Sequence, residues 1–360
     1  MRVLQIINSL NTGGAEKLLL DSLPLYEKKN VRVDILLLQK TETPFLEQLQ
    51  STFKGRIFFS TVKSLYNPRQ IRIVRKYVKD YDIVHVHLFP SLYWVALAKI
   101  ISKDFPILIF TEHNTENRRI NNPILRIFDK LIYRSYKIIT AISPEVKVAL
   151  IYKLKIKSDK IQVIYNGINV ESFSYSERYP TTDFFSRENI KLMIQVSRFS
   201  KQKDQKTAIR ALKLLPINYC MLFVGDGETR FSCTELVKEL ELESRVLFLG
   251  NRMDVPKLLK TSDIVIQSSN WEGFGLAAVE GMAAGKPVIA SDVPGLSNIV
   301  SGAGLLFEKG NEYSLVEKIL SLESSELYYI TTQKSIERSR SYDIKHMVDS
   351  TINLYKSLLN

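Results

Sequence analysis

With 360 residues, the chain is longer than one hydrophobic core ordinarily supports, and two domains are expected. Its 45% hydrophobic and 24% charged residues match an ordinary globular protein, and no apolar run reaches the ~18 residues of a membrane-spanning helix. The net charge of +12 is unevenly placed: residues 1–166 hold 27 Lys+Arg against 14 Asp+Glu, leaving 23 (50 − 27) against 24 (38 − 14) for the rest. Two cysteines, Cys220 and Cys233, argue against a disulfide framework or a cysteine metal site and suit a reducing cytosol. The start "MRVLQIINSLNTGG" lacks a signal-peptide profile, since its apolar run reads as a strand and no small-residue cleavage site follows.

Along the first half, the runs "RVLQIIN", "VRVDILLL", "RIFFS", "DIVHVHL", "ILIFTEH" and "KIITAIS" are strand candidates. Most are continuously apolar, as expected of parallel strands covered on both faces. After the first comes "NTGGAEK", a glycine turn with Gly13 and Gly14; it is not GxGxxG, which weakens a dinucleotide reading. "AEKLLLDSLPLYEK" is then a helix. "NPRQIRIVRKYVKD" puts Arg69, Arg72, Lys76 and Lys79 at helical spacing, with Ile71, Val74 and Val78 on another face. "NPILRIFDKLIYRSYK" repeats the pattern with Arg126, Lys130, Arg134 and Lys137. Two cationic helices favour an anionic surface, membrane lipid ahead of nucleic acid, although either alone reads equally as a solvated face. "DYD", Asp80 to Asp82, precedes a strand and reads as a turn rather than a metal site. His85 and His87 alternate on one strand and read as packing or hydrogen-bonded residues, with no third ligand nearby. His113 ends the strand "ILIFTEH".

Periodicity lapses in "VESFSYSERYPTTDFFSREN", interrupted by Pro180, and the domain junction is placed at residues 167–190. A second series of strands follows: "KLMIQVS", "YCMLFVG", "RVLFLG", "DIVIQSS" and "PVIASD", with "DQKTAIRALKLL" among the helices between them. Alternating strands and helices argue for an α/β doubly wound fold, a Rossmann-like parallel sheet in each half. Arg198 and Lys203, in "VSRFSKQKDQKTAI", stand where a strand's carboxyl end meets a helix, and two cations there could neutralise a leaving pyrophosphate. "VGDGE" (Gly225, Asp226, Gly227) and "FLGNRMD" (Arg252, Met253) are tight strand–helix turns. In "SNWEGFGLAAVEGMAAGKPVIASD" a glycine-rich turn opens a small-residue helix, where free N–H groups and the helix dipole attract a phosphate. Glu272, just before that turn, and Glu280, in the second helical turn, are suited to accept hydroxyls of a sugar or ribose beside it. The final "YDIKHMVDSTINLYKSLLN" is an amphipathic helix.

The glutamate pair in "EGFGLAAVEGMAAGKPVIASD", with seven residues between, resembles the signature of glycosyltransferase family 4, and almost the entire chain follows that family's order of elements. The resemblance implies a GT-B fold, two Rossmann-like domains facing across a cleft. It implies an acceptor-binding domain at residues 1–166 and a nucleotide-sugar-binding domain at 191–340. The helix 341–360 would pack back on the first domain, and it and the 167–190 junction would be the hinge elements. It casts Arg198 and Lys203 as the basic pair holding the donor diphosphate, with Gly13, Gly14, Gly273, Phe274, Gly275 and Leu276 lining that site. Glu280, Gly225, Asp226, Arg252 and Met253 would surround the ribose and base. Glu272 and His113 would be the catalytic residues, the first orienting sugar hydroxyls and the second lining the anomeric centre. Where the family frequently carries glutamate late in "SDVPGLSNIV", this chain has Asn298, and donor details are expected to differ here.

The activity so implied is retaining transfer from a nucleotide-diphosphate sugar, UDP-linked by preference, without metal or other cofactor. Its acceptor would be a glycan or lipid-linked saccharide in surface polysaccharide biosynthesis. The protein is expected in the cytoplasm, peripheral at the inner face of an anionic membrane, with no nucleic-acid partner. Two other classes stay open at this point: a nucleotide-sugar epimerase, and a non-enzymatic glycan-binding partner on the same scaffold.

Overall fold

The computed structural model describes residues 1–11, 13–114, 122–187 and 189–360; Thr12 of the glycine turn and Glu188 of the junction segment lie outside them. The chain divides into two compact units, residues 1–167 with 344–360, and residues 168–343. The first unit is built on strands β1 (Arg2–Ile7), β2 (Arg32–Leu37), β3 (Ile57–Phe59), β4 (Ile83–His87), β5 (Ile107–Glu112), β6 (Ile138–Ala141) and β7 (Ile161–Val163). They form one sheet in the order β3-β2-β1-β4-β5-β6-β7, every pair parallel. The second unit carries β8 (Lys191–Val196), β9 (Tyr219–Val224), β10 (Val246–Phe248), β11 (Ile264–Gln267), β12 (Val288–Ser291) and β13 (Leu305–Phe307). Its sheet is also all parallel, in the order β10-β9-β8-β11-β12-β13.

The continuous apolar runs explain this architecture. β4, β9, β11 and β12 are buried at every position, which requires helices on both faces and hence parallel strands joined by crossovers. Burying each Leu or Ile of these strands stabilises the unit by ~2 kcal/mol. The two strands absent from the sequence reading, β7 and β13, are three-residue edge strands, too short to show a period.

Two segments depart from the sequence reading. Residues 168–190, read as a junction, cluster with the second unit. Phe173 and Phe185 are buried there, and the helix Val170–Ser174 joins the helix Leu276–Ala283 through Ser174 Oγ donating to the Ala283 carbonyl at 3.1 Å. A few aromatic anchors hold this stretch without any helical or strand period. The other is the helix Pro123–Arg134, whose cations share the surface with exposed apolar residues: Ile127 is 63% and Phe128 56% exposed, and Leu125 and Leu131 are exposed as well. The arginine-bearing segment 69–79 behaves more conventionally. Val74 and Val78 are buried, whereas Arg69, Arg72, Lys76 and Lys79 face solvent.

The C-terminal helix Ile344–Leu359 belongs to the first unit, with Ile344, Val348, Ile352 and Tyr355 in its core. Its Tyr355 ring stacks on Tyr26 with centroids 6.2 Å apart. Asp82 sits at the amino end of β4 and accepts the Arg2 N–H at 2.7 Å, so "DYD" closes a turn.

Candidate active site

In each sheet, strand order reverses once beside the first strand, between β1 and β4 and again between β8 and β11. Ligands of doubly wound sheets sit outside the carboxyl ends of the strands at such switch points. In the second unit the residues there are the ones the sequence singled out. β8 leads into Arg198 and Lys203, and β11 leads into Ser268, Ser269 and Glu272.

Glu272 is 7% exposed, and a carboxylate buried so deeply needs partners. The Lys203 ammonium donates to its Oε1, Ser269 Oγ donates to the same atom at 3.0 Å, and Gln202 Nε2 stands 3.5 Å from Oε2. Lys203 is itself held by its main chain. Gln195 Nε2 on β8 donates to its carbonyl at 2.9 Å. Ser268 Oγ donates to the Asp204 carbonyl at 2.8 Å and lies 3.2 Å from the Lys203 carbonyl and 3.1 Å from Gln195 Oε1, which brings the ends of β8 and β11 together. The structure thus joins Lys203 to Glu272 directly, while Arg198 projects into solvent from the same loop. Arg198 is fixed through its carbonyl, which accepts from Gln205 Nε2 at 3.1 Å.

The turn after Glu272 is shaped by packing. Gly273 and Phe274 are buried, and Phe274 meets Tyr342 edge-on at 5.3 Å. Gly275, at φ +97°, adopts a left-handed conformation that a Cβ would strain, and that Cβ would lie 2.5 Å from Leu296 Cδ2. It caps the helix Leu276–Ala283, whose first turn begins four residues after Glu272. Glu280 is half-buried one turn further on. Gly225 follows β9 at φ +125°; a Cβ there would be 2.2 Å from the Ser197 carbonyl oxygen, so this loop lies against the Arg198 loop.

Two of the residues that the resemblance placed around a ribose and base, Asp226 and Arg252, are engaged with protein partners. Asp226 is exposed, and the Gly227 N–H at 2.7 Å together with Arg230 at 2.9 Å holds its carboxyl below the usual range. Arg252 grips Asp254 through two hydrogen bonds of 2.8 and 2.6 Å. With Tyr179 donating to it at 2.7 Å, the Asp254 carboxyl is pulled down to about 2. Met253 beside it is exposed. Asn298 stands exposed in the helix Ser297–Val300, its carbonyl accepting from Arg338 at 3.1 Å.

In the first unit, Gly13 caps the helix Gly14–Lys28 after β1, and Gly14 is exposed. His113, just past β5, is half-buried, and its Nε2 lies 3.3 Å from His87 Nδ1. His87 Nε2 lies 2.9 Å from Gln5 Oε1, and Gln5 Nε2 donates to the Tyr355 hydroxyl at 3.1 Å. Burial lowers all three imidazoles: His85 to about 3, His113 to about 4, and His87 well below its usual value. His85 and His87 are therefore neutral members of a hydrogen-bonded core, as their alternation suggested.

The sequence reading missed the residues that hold this site: Gln195, Gln202, Ser268 and Ser269 in one unit, Gln5 in the other. A signal was present. β1 and β8 each open on a cation, Arg2 or Lys191, and then carry one glutamine among apolar residues, and β11 is followed by a run of small polar residues.

The family model described as Glycosyltransferase Family 4 matches residues 12–172, and that described as Glycosyl transferases group 1 matches residues 182–342. An uncharacterized glycosyltransferase of Methanocaldococcus jannaschii is 30% identical over 301 residues, covering 78% of this chain and 76% of the relative. The UDP-Gal:alpha-D-GlcNAc-diphosphoundecaprenol alpha-1,3-galactosyltransferase of Escherichia coli is 25% identical over 355 residues, 91% of this chain and 89% of that protein. The crystal structure of HepE from Anabaena in complex with UDP and glucose matches with a TM-score of 0.87, over 99% of this chain and 100% of that one. At 24% identity that likeness is one of fold, and the fold is GT-B. Two parallel Rossmann-like sheets, the paired family models and the archaeal relative together make this chain a member of the family 4 glycosyltransferases.

Proposed function

We propose that this glycosyltransferase takes its sugar from a UDP-sugar and passes it, with retention of anomeric configuration, to a lipid-linked saccharide at an anionic membrane surface, in building surface polysaccharide. The observation that carries the reading is the buried Glu272, paired with Lys203 and Ser269 at the switch point of the second sheet. A carboxylate and an ammonium beside a helix N-terminus suit a ligand with hydroxyls at one end and a diphosphate at the other. Lys203, Arg198 and the N–H groups from Gly273 to Leu276 would neutralise the departing diphosphate, which makes a divalent cation unnecessary. Glu280 would accept the ribose hydroxyls, with the loops of Gly225, Asp226, Arg252 and Met253 around the nucleotide. Gly13, Gly14 and His113 would contact the donor phosphate and sugar.

In the reaction, the bond between the anomeric carbon and the diphosphate oxygen breaks and UDP departs with the bonding pair. The acceptor hydroxyl oxygen bonds to the anomeric carbon on the same face, and its proton passes to the leaving phosphate oxygen. Glu272 orients the sugar hydroxyls. Binding geometry and electrostatic stabilisation supply the rate.

The E. coli relative, which carries a UDP-sugar donor and a diphosphoundecaprenol-linked acceptor in its name, supports both substrates, and HepE was crystallised with UDP and glucose. The helix Pro123–Arg134 supports the lipid surface. Its exposed Ile127, Phe128 and Leu131 stand among Arg126, Lys130 and Arg134, the pattern of a helix lying in a headgroup region. Among the described residues, no helix is long and apolar enough to cross a membrane.

Calorimetric titration of UDP, GDP and ADP without divalent metal, into wild type and Glu280→Ala, tests the donor site. UDP binding that weakens in the variant is expected. Well-folded protein that binds none of the three would reverse the assignment and bring the glycan-binding reading forward. Product from a UDP-sugar donor, examined by NMR, reports whether the anomeric configuration is retained.

A further inference from the structure

The core of the first unit contains a chain of uncharged polar groups running from the C-terminal helix to His113. In order, its contacts are His113 Nε2 to His87 Nδ1 at 3.3 Å, His87 Nε2 to Gln5 Oε1 at 2.9 Å, and Gln5 Nε2 to Tyr355 OH at 3.1 Å. Beyond Tyr355 it continues to His85 Nδ1 at 2.6 Å, from His85 Nε2 to Thr111 Oγ1 at 2.6 Å, and on to Thr140 Oγ1 at 2.6 Å. Gln5, His85, His87, Thr140 and Tyr355 are all buried, so an unmatched donor or acceptor here would be costly.

A neutral imidazole donates from one nitrogen and accepts at the other, so fixing the Gln5–His87 bond fixes the His87–His113 bond as well. The Gln5 amide chooses the direction of that branch. With its oxygen toward His87, Gln5 requires His87 to donate from Nε2 and accept at Nδ1. His113 must then donate from Nε2. On the other branch, the Gln5 nitrogen donates to Tyr355, Tyr355 donates to His85 Nδ1, His85 Nε2–H donates to Thr111, and Thr111 donates to Thr140. The chain ends with Thr140 Oγ donating to the Phe110 carbonyl at 3.4 Å. Turning the amide over reverses the His87 branch and puts the His113 proton on Nδ1.

We infer that Gln5 and His87 are positioning residues that hold His113 in its Nε2–H tautomer, so that Nδ1 presents a bare lone pair as hydrogen-bond acceptor for a hydroxyl of the donor sugar. The inference rests on the reading that His113 faces that sugar. Burial supports it, since with every imidazole pKa lowered each ring carries a single proton at neutral pH. An acceptor at this point selects a sugar carrying a hydroxyl there over its deoxy analogue, because the matched site would otherwise leave a polar group unpaired.

The chain has four histidines, and the fourth, His346, is exposed and serves as a reference. Long-range proton–nitrogen NMR on full-length protein labelled with 15N-histidine reads each tautomer directly. The expected spectrum at pH 7 has His85, His87 and His113 protonated on Nε2 alone. A proton on His113 Nδ1 means the chain runs in reverse and overturns the inference, whether or not any variant folds. Gln5→Met removes the acceptor for His87 Nε2–H and should give His113 mixed tautomers. Gln5→Glu, which keeps a carboxyl oxygen toward His87, should restore the Nε2–H form. An unchanged His113 signal in Gln5→Met would show that the amide does not set the tautomer. In transfer assays, Gln5→Met should lower kcat about tenfold and leave UDP affinity unaltered, whereas a purely structural defect would lower both. Wild-type transfer by His113→Ala would overturn the inference through the reading it rests on, a failure distinct from a wrong tautomer.

Discussion

At the switch point of the first sheet, β1 and β4 contribute Gln5, His85 and His87, all buried and uncharged at neutral pH. At the second, β8 and β11 contribute Gln195 and Ser268, which seat the ion pair of Lys203 with Glu272. The two sheets share one strand order except that the first adds β7 at its edge, and in both a single glutamine stands among the apolar residues of the first strand. The use made of that amide differs. In one unit it directs protons among imidazoles, where only orientation is at stake. In the other it pins the main chain of a cation, where the position of a charge is at stake. A common scaffold thus delivers hydrogen-bond polarity at one site and fixed charge at the other, as one would want if the first met sugar hydroxyls and the second a diphosphate.

The sharpest way to break this contrast is to remove the charge. Lys203→Ala should lower transfer by roughly 10²–10³-fold, the range seen when one preorganised electrostatic contact is lost. Steady-state kinetics with a UDP-sugar donor reads it directly, and a variant within a fewfold of wild type would mean Lys203 only neutralises Glu272. Acidification probes the neutral site. Burial lowers the His85 pKa in the folded chain to about 3 from its ordinary 6.5, so between these values the unfolded chain binds a proton that the folded chain does not. Stability present at neutral pH is therefore lost progressively as pH falls from 6.5 toward 3, by about 2 kcal/mol at pH 5 from His85 alone. Unfolding of wild type and His85→Asn at pH 7 and pH 5 should show the larger loss in wild type. Equal losses would mean the imidazole is not held neutral.

Smaller effects sharpen the comparison at the surface and in the turn. The first 166 residues carry an excess of 13 positive charges and the remainder an excess of one negative charge. If that asymmetry serves membrane docking, Phe128→Asp should weaken co-sedimentation with phosphatidylglycerol vesicles about tenfold, leaving UDP affinity alone. Gly275→Ala should cost the second unit ~1 kcal/mol through its left-handed backbone, measured as a lower unfolding midpoint.

Much of this was legible in the sequence because parallel strands announce themselves: a run such as "YCMLFV" has nowhere to go but a sheet covered on both faces. Glu272, Lys203 and the glycine turn were legible for a similar reason, since charge and glycine beside apolar strand ends are hard to explain otherwise. Their supports were not. Nothing in spacing reveals that Ser269 and Lys203 meet one carboxylate, because that contact depends on two strands being neighbours although Lys203 and Glu272 stand 69 positions apart in the chain. Phe173 and Phe185 were opaque for another reason: isolated anchors in an irregular segment carry no period to read. The apolar side of the helix Pro123–Arg134 looked like an ordinary core face, and only its exposure sets it apart.

One feature of the chain path bears on how the protein is made. Its first unit is split in sequence: residues 1–167 need the helix 344–360, which brings Tyr355 to Gln5 and His85. The second unit is contiguous, and its ends are already together, with the Ile168 N–H donating to the Tyr342 carbonyl at 2.9 Å. On the ribosome, where domains fold as units as they emerge, the later-encoded unit can be complete while the earlier one still waits for its last helix. The nascent first unit therefore lacks the Tyr355 partner of Gln5 and His85 throughout the synthesis of residues 168–343, and its core is completed only once the helix 344–360 has emerged.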